Sequence, residues 1–429
     1  MNVSINRHAL DRVPLSIIFD DSTMLINLNY FFLRDVVSLT EEQAPFVTDW
    51  KARQGKGGTV RWEDVPVVHP ESFTREFAHF CLDYGVKGKY SVVPCPAALG
   101  RIDHGLELFS QAQQESWLQM CREMIMPNFD ITPEMMTHTF VVDLETLKPI
   151  DVGLWEQWGW NHLPTDQPER VTDYIARACE ILHNVGLTPA GVTSPGGFGN
   201  PIEFYADCAS AAVRRVTGNP TPFFFKRVNS DGSVPTPVWH ADREAGTAMG
   251  EIIGATGDWT GSWTGYGEVD PDRYITADLE GGRMSACIDA GEPAVMISHW
   301  QGFYGMHDDD RGGFNAFKTV VRRLEERDPK GERCRWRKCG EITNYACAAE
   351  LCVLTVNGTT VSLDLPVRVA EFTLRITDAE VQGVSVDGRP LEEARTRAAF
   401  ATETFLHENG VTLAAFDPQQ RTTTVEVTV

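Results

Sequence analysis

Between residues 70 and 193 the apolar pattern switches regularly between helical spacing and short β-branched runs. Phe73, Phe77, Phe80, Cys81 and Tyr84 recur at helical spacing before Gly85, and 89–93 then reads as a strand closed by Pro94. Trp117, Leu118, Cys121, Met124 and Ile125 share the face of a second helix, ahead of a strand expected at 139–142. A third helix, from about Glu169 to Val185, runs into a strand at 190–193. Alternation on this scale predicts parallel βα units, in a barrel or an open sheet.

The residues before this region share its logic. Ser16 to Phe19 read as a buried strand that ends in two adjacent carboxylates, Asp20 and Asp21. Acids at the carboxyl end of such a strand sit at the mouth of a sheet or barrel, where enzymes place catalytic groups. Two adjacent like charges invite a cation or a shared proton; the plainer alternative is an Asp-capped turn. Other strand ends add His138 and Asp143 around 139–142, Thr193–Gly197 after 190–193, and His299-Trp300 after 294–298.

Residues 195–270 show little periodicity and read as a loop-rich insertion, the kind of excursion that builds a lid or pocket wall. Its Trp259, Trp263, Tyr266 and His240, with Trp300 and Tyr304, form a candidate aromatic wall for substrate; loop-core packing explains them equally well. From about residue 335 the pattern changes to short strands with Asn357-Gly358 and Asp387-Gly388 turns, the strongest hairpin signals. The division expected is therefore a βα domain over 1–330 and a small antiparallel β-sandwich over 335–429.

With 38 basic and 60 acidic residues the net charge is −22, which argues against nucleic acid and anionic membranes as partners. No apolar run is long enough for a membrane span or shaped like an export signal, so a cytoplasmic location with reduced cysteines is expected. Cys334, Cys339, Cys347 and Cys352 lack the tight spacing of a zinc knuckle. A homo-oligomer is compatible with a chain of this size, although nothing in the sequence specifies one.

Five stretches, in order, resemble the motifs of the NodB-like polysaccharide deacetylases: Asp20-Asp21-Ser22, Met136-Thr137-His138-Thr139, Thr193-Ser194-Pro195-Gly196-Gly197, Asp258-Trp259 and Ile297-Ser298-His299. The resemblance implies an α/β fold, a distorted seven-stranded (β/α) barrel, with the sandwich behind it. It also implies a divalent metal, most plausibly zinc, on Asp21 and His138, with Asp20 as base and His299 as acid in removing an acyl group from a carbohydrate. Two features depart from the family. Val142 stands where its second metal-binding His would be, which makes Asp143 the candidate third ligand. Thr193 replaces the Arg that steadies the base, with Arg243 as a substitute. A glycoside hydrolase using paired carboxylates on the same barrel, and a non-catalytic carbohydrate-binding protein, are the alternatives.

Overall fold

The computed structural model of the chain describes residues 1–25, 68–151, 154–263, 265, 267–305 and 311–429. The turn read at 55–58, Tyr266 and the run at 307–310 lie outside them. In chain order the elements used below are β1 (Asn2–Ile5), β2 (Val13–Ser22), α1 (Glu71–Asp83), β3 (Gly88–Val92), α2 (Gln111–Met120) and β4 (Phe129–Pro133). They continue as α3 (Pro168–Asn184), β5 (Gly191–Thr193), α4 (Ile202–Thr217), β6 (Phe223–Val228), β7 (Val238–Asp242) and β8 (Thr247–Gly254). After these come α5 (Arg283–Asp289), β9 (Ala294–His299), α6 (Gly312–Arg327), β10 (Cys334–Trp336) and α7 (Cys339–Leu351).

The central strand is β2. Every residue in it is buried, as suits a parallel strand covered on both faces. It pairs in parallel with β9 on one side and β3 on the other, while β10 pairs with its first residues. Beyond β3 lies β4, also parallel. A second sheet runs β5-β6-β8 in parallel and ends in the antiparallel edge strand β7. At one seam between the sheets, Ile131 and Glu134 bridge to Pro189 and Thr193. At the other, Ala255 N–H donates to the Val295 carbonyl at 2.7 Å. The parallel strands thus follow a circular order, but each sheet keeps its own ladder and no continuous closed barrel forms among the described residues.

Side-chain period explains which face of β2 meets which layer. Phe19 packs on Phe77, Trp300 and Phe303, with centroids 4.2–4.9 Å apart. Its neighbours Ile18 and Asp20 therefore point the other way. From α1, Phe73, Phe77, Phe80 and Cys81 are buried, as the periodicity predicts; each fully buried ring contributes about 1.5–3 kcal/mol.

Two expectations need correction. Residues 139–142 make only isolated bridges, Phe140 to Trp155 and Val142 to Pro149, and the sheet strand is β4, ten residues earlier. Its sequence, Phe-Asp-Ile-Thr-Pro, hides a buried strand because two of its five positions are polar and a proline ends it. The stretch 195–270 is also more regular than read, since it holds α4, β6, β7 and β8. The buried stripe of α4 consists largely of Ala206, Cys208, Ala209 and Ala212, residues too small to mark a helical period clearly.

The C-terminal strands form two five-stranded sheets. One contains Phe372–Thr377, Val411–Phe416, Thr404–Glu408 and Glu392–Ala394, and takes β1 as its edge. The other contains Val353–Asn357, Thr360–Asp364, Thr422–Thr428, Gly383–Val386 and Arg389–Pro390. All pairs are antiparallel except that of Glu392–Ala394 with Thr404–Glu408. At the Asp387-Gly388 turn both residues have positive φ, 50° and 76°, as a tight hairpin of this type requires. Val3 of β1 is buried with Leu363, Phe372, Phe416 and Val425, so the first strand of the chain completes the last sheet pair. Among the described residues no helix is long and apolar enough to cross a membrane.

Candidate functional site

Adjacent residues on a regular strand face opposite ways, so Asp20 and Asp21 reach one site only if the strand breaks its period. It does so here: Asp21 has φ 59°, and the pairing of β2 with β3 shifts register between Phe19 and Ser22. A bulge of this kind re-aims a side chain at the rim of a sheet.

The two acids have different partners. Asp20 Oδ1 accepts from Lys89 Nζ at 2.5 Å and from Ser91 Oγ at 2.5 Å. Lys89 is fully buried and its ammonium lies 5.0 Å from the centre of the Phe225 ring. Thus Lys89 steadies the acid for which the sequence lacks the third-motif Arg. Arg243 is exposed and donates to the Glu350 carbonyl.

Asp21 meets His138 and Glu134, a residue that sequence reasoning missed. His138 Nε2 lies 2.8 Å from Asp21 Oδ1 and 3.2 Å from Glu134 Oε1. Glu134 Oε2 accepts from the Asp21 backbone N–H at 2.8 Å, and Gln301 Nε2 donates to Asp21 Oδ2 at 2.8 Å. One ligand atom from each of Asp21, Glu134 and His138 lies within 4.8 Å of the others, and all three residues are buried. Burial would raise the Asp21 carboxyl, but His138, with His299 and Gln301, holds it well below the usual carboxylate range. Burial and the charge of Asp20 push Glu134 up. Against the opposing effect of burial, the two carboxylates raise His138 well above an ordinary imidazole.

Glu134 follows directly on β4, at the carboxyl end of a strand where such groups are expected. Its sequence signal was the spacing Glu-x-x-x-His running back from His138. Asp143, the predicted third ligand, is not in this group. It is exposed and accepts from Thr146 N, Thr146 Oγ1 and Glu145 N, the hydrogen bonding of a capped turn.

A second missed acid holds the loop in place. Glu156 is fully buried, and its Oε1 accepts from the N–H groups of Met136 (3.1 Å) and Thr137 (2.9 Å) and from Tyr174 Oη (2.5 Å). Its Oε2 accepts from the His138 N–H at 2.7 Å. Burial pushes this carboxyl up to about 7, while the donors around it favour the ionised form. His138 itself has φ 62°, a conformation costly for a non-glycine residue unless its surroundings impose it. Gln157 places its amide 2.9 Å from His138 Nδ1, which leaves Nε2 to face the acids. The Gly196-Gly197 pair of the third motif makes room: a Cβ on Gly196 would stand 2.8 Å from Gln157 Oε1, and its φ is 47°.

His299 lies in register with Asp20 on the neighbouring strand. Its Nδ1 is 2.8 Å from Asp258 Oδ2, and Asp258 Oδ1 accepts from Thr260 Oγ1 at 2.9 Å. Burial disfavours its charge, but the Asp258 contact and the charges of Asp21, Asp258 and Asp20 raise its pKa to about 9. The imidazole is therefore protonated at neutral pH.

The aromatic candidates divide. Trp259, beside Asp258, is half-buried against Tyr274 with Arg273 over its ring, and Trp263 is also half-buried. Tyr304 is half-buried on Phe73. Trp300 is a core residue, 1% exposed, packed on Phe19, Phe77 and Tyr90 and donating to Ser22 Oγ. His240 is exposed on β7 with Nε2 3.0 Å from the Glu203 carbonyl oxygen. No described contact joins it to the acids.

One imidazole nitrogen and two carboxylates in mutual reach suit zinc or a similar divalent ion. The ten cysteines are all free and buried, and no other metal-like group of acids, histidines and cysteines occurs among the described residues.

No family model matches this chain, and no curated protein matches it either. Among solved structures it is similar to the Puue allantoinase, with 9% identity and a TM-score of 0.39 over 78% of this chain and 90% of the other. It is similar to the family 30 subfamily 8 xylanase Xyn30A from Clostridium acetobutylicum, with 8% identity and a TM-score of 0.34 over 99% of both chains. The carbohydrate deacetylase Agd3 shares 10% identity at a TM-score of 0.35, over 97% of this chain and 65% of that one. Likeness at this level carries no argument about fold or activity.

Proposed function

We propose that this protein is a metal-dependent hydrolase that removes an acyl group, most simply acetyl, from a carbohydrate. The observation that supports it is the division of labour at the end of β2: Asp21 joins Glu134 and His138, while Asp20 is held apart by Lys89 and faces the strand of His299. Asp21, Glu134 and His138 would hold the ion, which when bound supplies Lewis acidity toward water and the acyl oxygen. Asp20, held in place by its contacts with Lys89 and Ser91, takes the proton of the attacking water. His299, kept charged by Asp258, gives a proton to the leaving amine or alcohol. The half-buried Trp259 stands beside Asp258 and offers a face for a sugar ring.

The test is acetate release from N- and O-acetylated oligosaccharides by the purified protein supplied with zinc or cobalt. Asp20→Asn is expected to lower kcat by about 10²–10⁴-fold. Turnover that a chelator leaves unchanged, or reducing-end release in place of acetate, would sink this reading and favour the glycosidase.

A further inference from the structure

A cavity of about 850 Å³ lies between the two halves of the fold, lined by residues 5–9, by α7 and by 368–370. It shares no lining residue with the Asp21–Glu134–His138 group. Its walls carry four arginines, Arg7, Arg12, Arg337 and Arg368, against two carboxylates, Glu341 and Glu350. That excess is unexpected on a chain of net charge −22.

Counting partners sharpens the imbalance. Arg337 is paired with Glu371, and Glu341 with Lys87. Arg7, Arg12 and Arg368 make no ion pair among the described residues. Arg12 is only 8% exposed, and although its Nη2 donates to the carbonyls of Arg397 and Phe400, its Nε is buried without a partner. Burial and the nearby charges of Arg335, Arg397 and Arg337, countered in part by Glu371, lower its pKa. Like charges gathered around one cavity cost free energy, and a bound anion would relieve that cost.

We propose that this cavity is a binding site for a small polyanion, a phosphate ester or polycarboxylate, engaged by Arg7 and Arg368, with Arg12 adding positive charge from beneath the wall. The volume suits a metabolite and not a folded partner, since ligand clefts span roughly 300–1,000 Å³. Because the walls come from the chain's first residues, α7 and the 368–370 connection between two C-terminal strands, such a ligand ties these parts together and stabilises the native state by mass action. This proposal is independent of the activity assigned above.

The experiment is titration calorimetry and thermal melting of the full chain with inorganic pyrophosphate and with citrate, against potassium chloride at matched ionic strength. The expected result is saturable binding of one of the two, weakened by added salt, with a raised melting temperature. Arg7→Gln and Arg368→Gln, both at exposed positions, are each expected to weaken binding about tenfold without lowering the melting temperature of the free protein. A preference for pyrophosphate identifies a phosphate ester as the ligand class, and one for citrate a polycarboxylate. Absence of saturable binding by either anion, or binding that both variants retain at parental strength, would overturn the proposal.

Discussion

Lys89 and Asp20 form a buried pair whose members cannot be changed separately. Removing the cation leaves a carboxylate in the interior with Ser91 as its remaining hydrogen-bond donor among the described residues. Lys89→Met is therefore expected to cost about 3–5 kcal/mol in urea unfolding, with Lys89→Met/Asp20→Asn much closer to the parent. Asp258 acts on His299 in a similar way, as the partner that fixes its charge. The folded pKa of His299, about 9, is raised above the ordinary 6.5, so its contribution to stability is complete below pH 6.5 and is lost as pH rises through 9. Asp258→Asn is expected to move that titration to lower pH, and with it the alkaline limb of kcat/KM. An unchanged imidazole titration by NMR would show that Asp258 does not set it. Asp20, Asp21 and His299 were legible in the sequence because each stands at a strand end, whereas His138 was read at the start of a strand at 139–142 that makes only isolated bridges. Lys89 was not legible, since a lysine inside a strand ordinarily reads as a solvent-facing residue.

The loop from Glu134 to His138 is held by an element that touches no ligand atom. Glu156, at the start of the turn Glu156–Gly159, fastens three successive backbone N–H groups and thereby imposes the left-handed conformation of His138. Glu156→Gln replaces one of the two acceptor oxygens with an NH2 donor that faces donors. The expected result is a loss of about 2–4 kcal/mol in stability and about 10–100-fold in zinc affinity, whereas the exposed Asp143→Ala leaves both unchanged. Equal zinc affinity in Glu156→Gln and parent would make the clamp purely structural. The helices α1, α3 and α6 were legible because their large apolar residues mark a clear period. Displacing the strand from 129–133 to 139–142 hid Glu134, because strand-end reasoning then examined the wrong four residues. No local signal marks Glu156, whose role depends on the fold bringing it to the loop.

At the scale of the molecule, two sheets of parallel strands set in circular order carry the acids at one end, and a pair of C-terminal sheets packs beside them. Alternating βα units and the later hairpin turns announced both parts. The return of β1 to the C-terminal sheets was not readable, since four residues at an edge carry too little pattern to choose a partner across the chain. The circular order does not become a closed ladder, because among the described residues only scattered bridges and hydrogen bonds join the two sheets at their seams. The central claim is that this architecture gathers Asp21, Glu134 and His138 around one divalent ion. Metal content of the purified protein, compared with Asp21→Ala, Glu134→Ala, His138→Ala and Asp143→Ala, tests it most directly. The account predicts about one equivalent of zinc per chain in the parent and in Asp143→Ala, lost from the other three. No metal in the parent after incubation with zinc or cobalt, or full retention in Glu134→Ala, would contradict it.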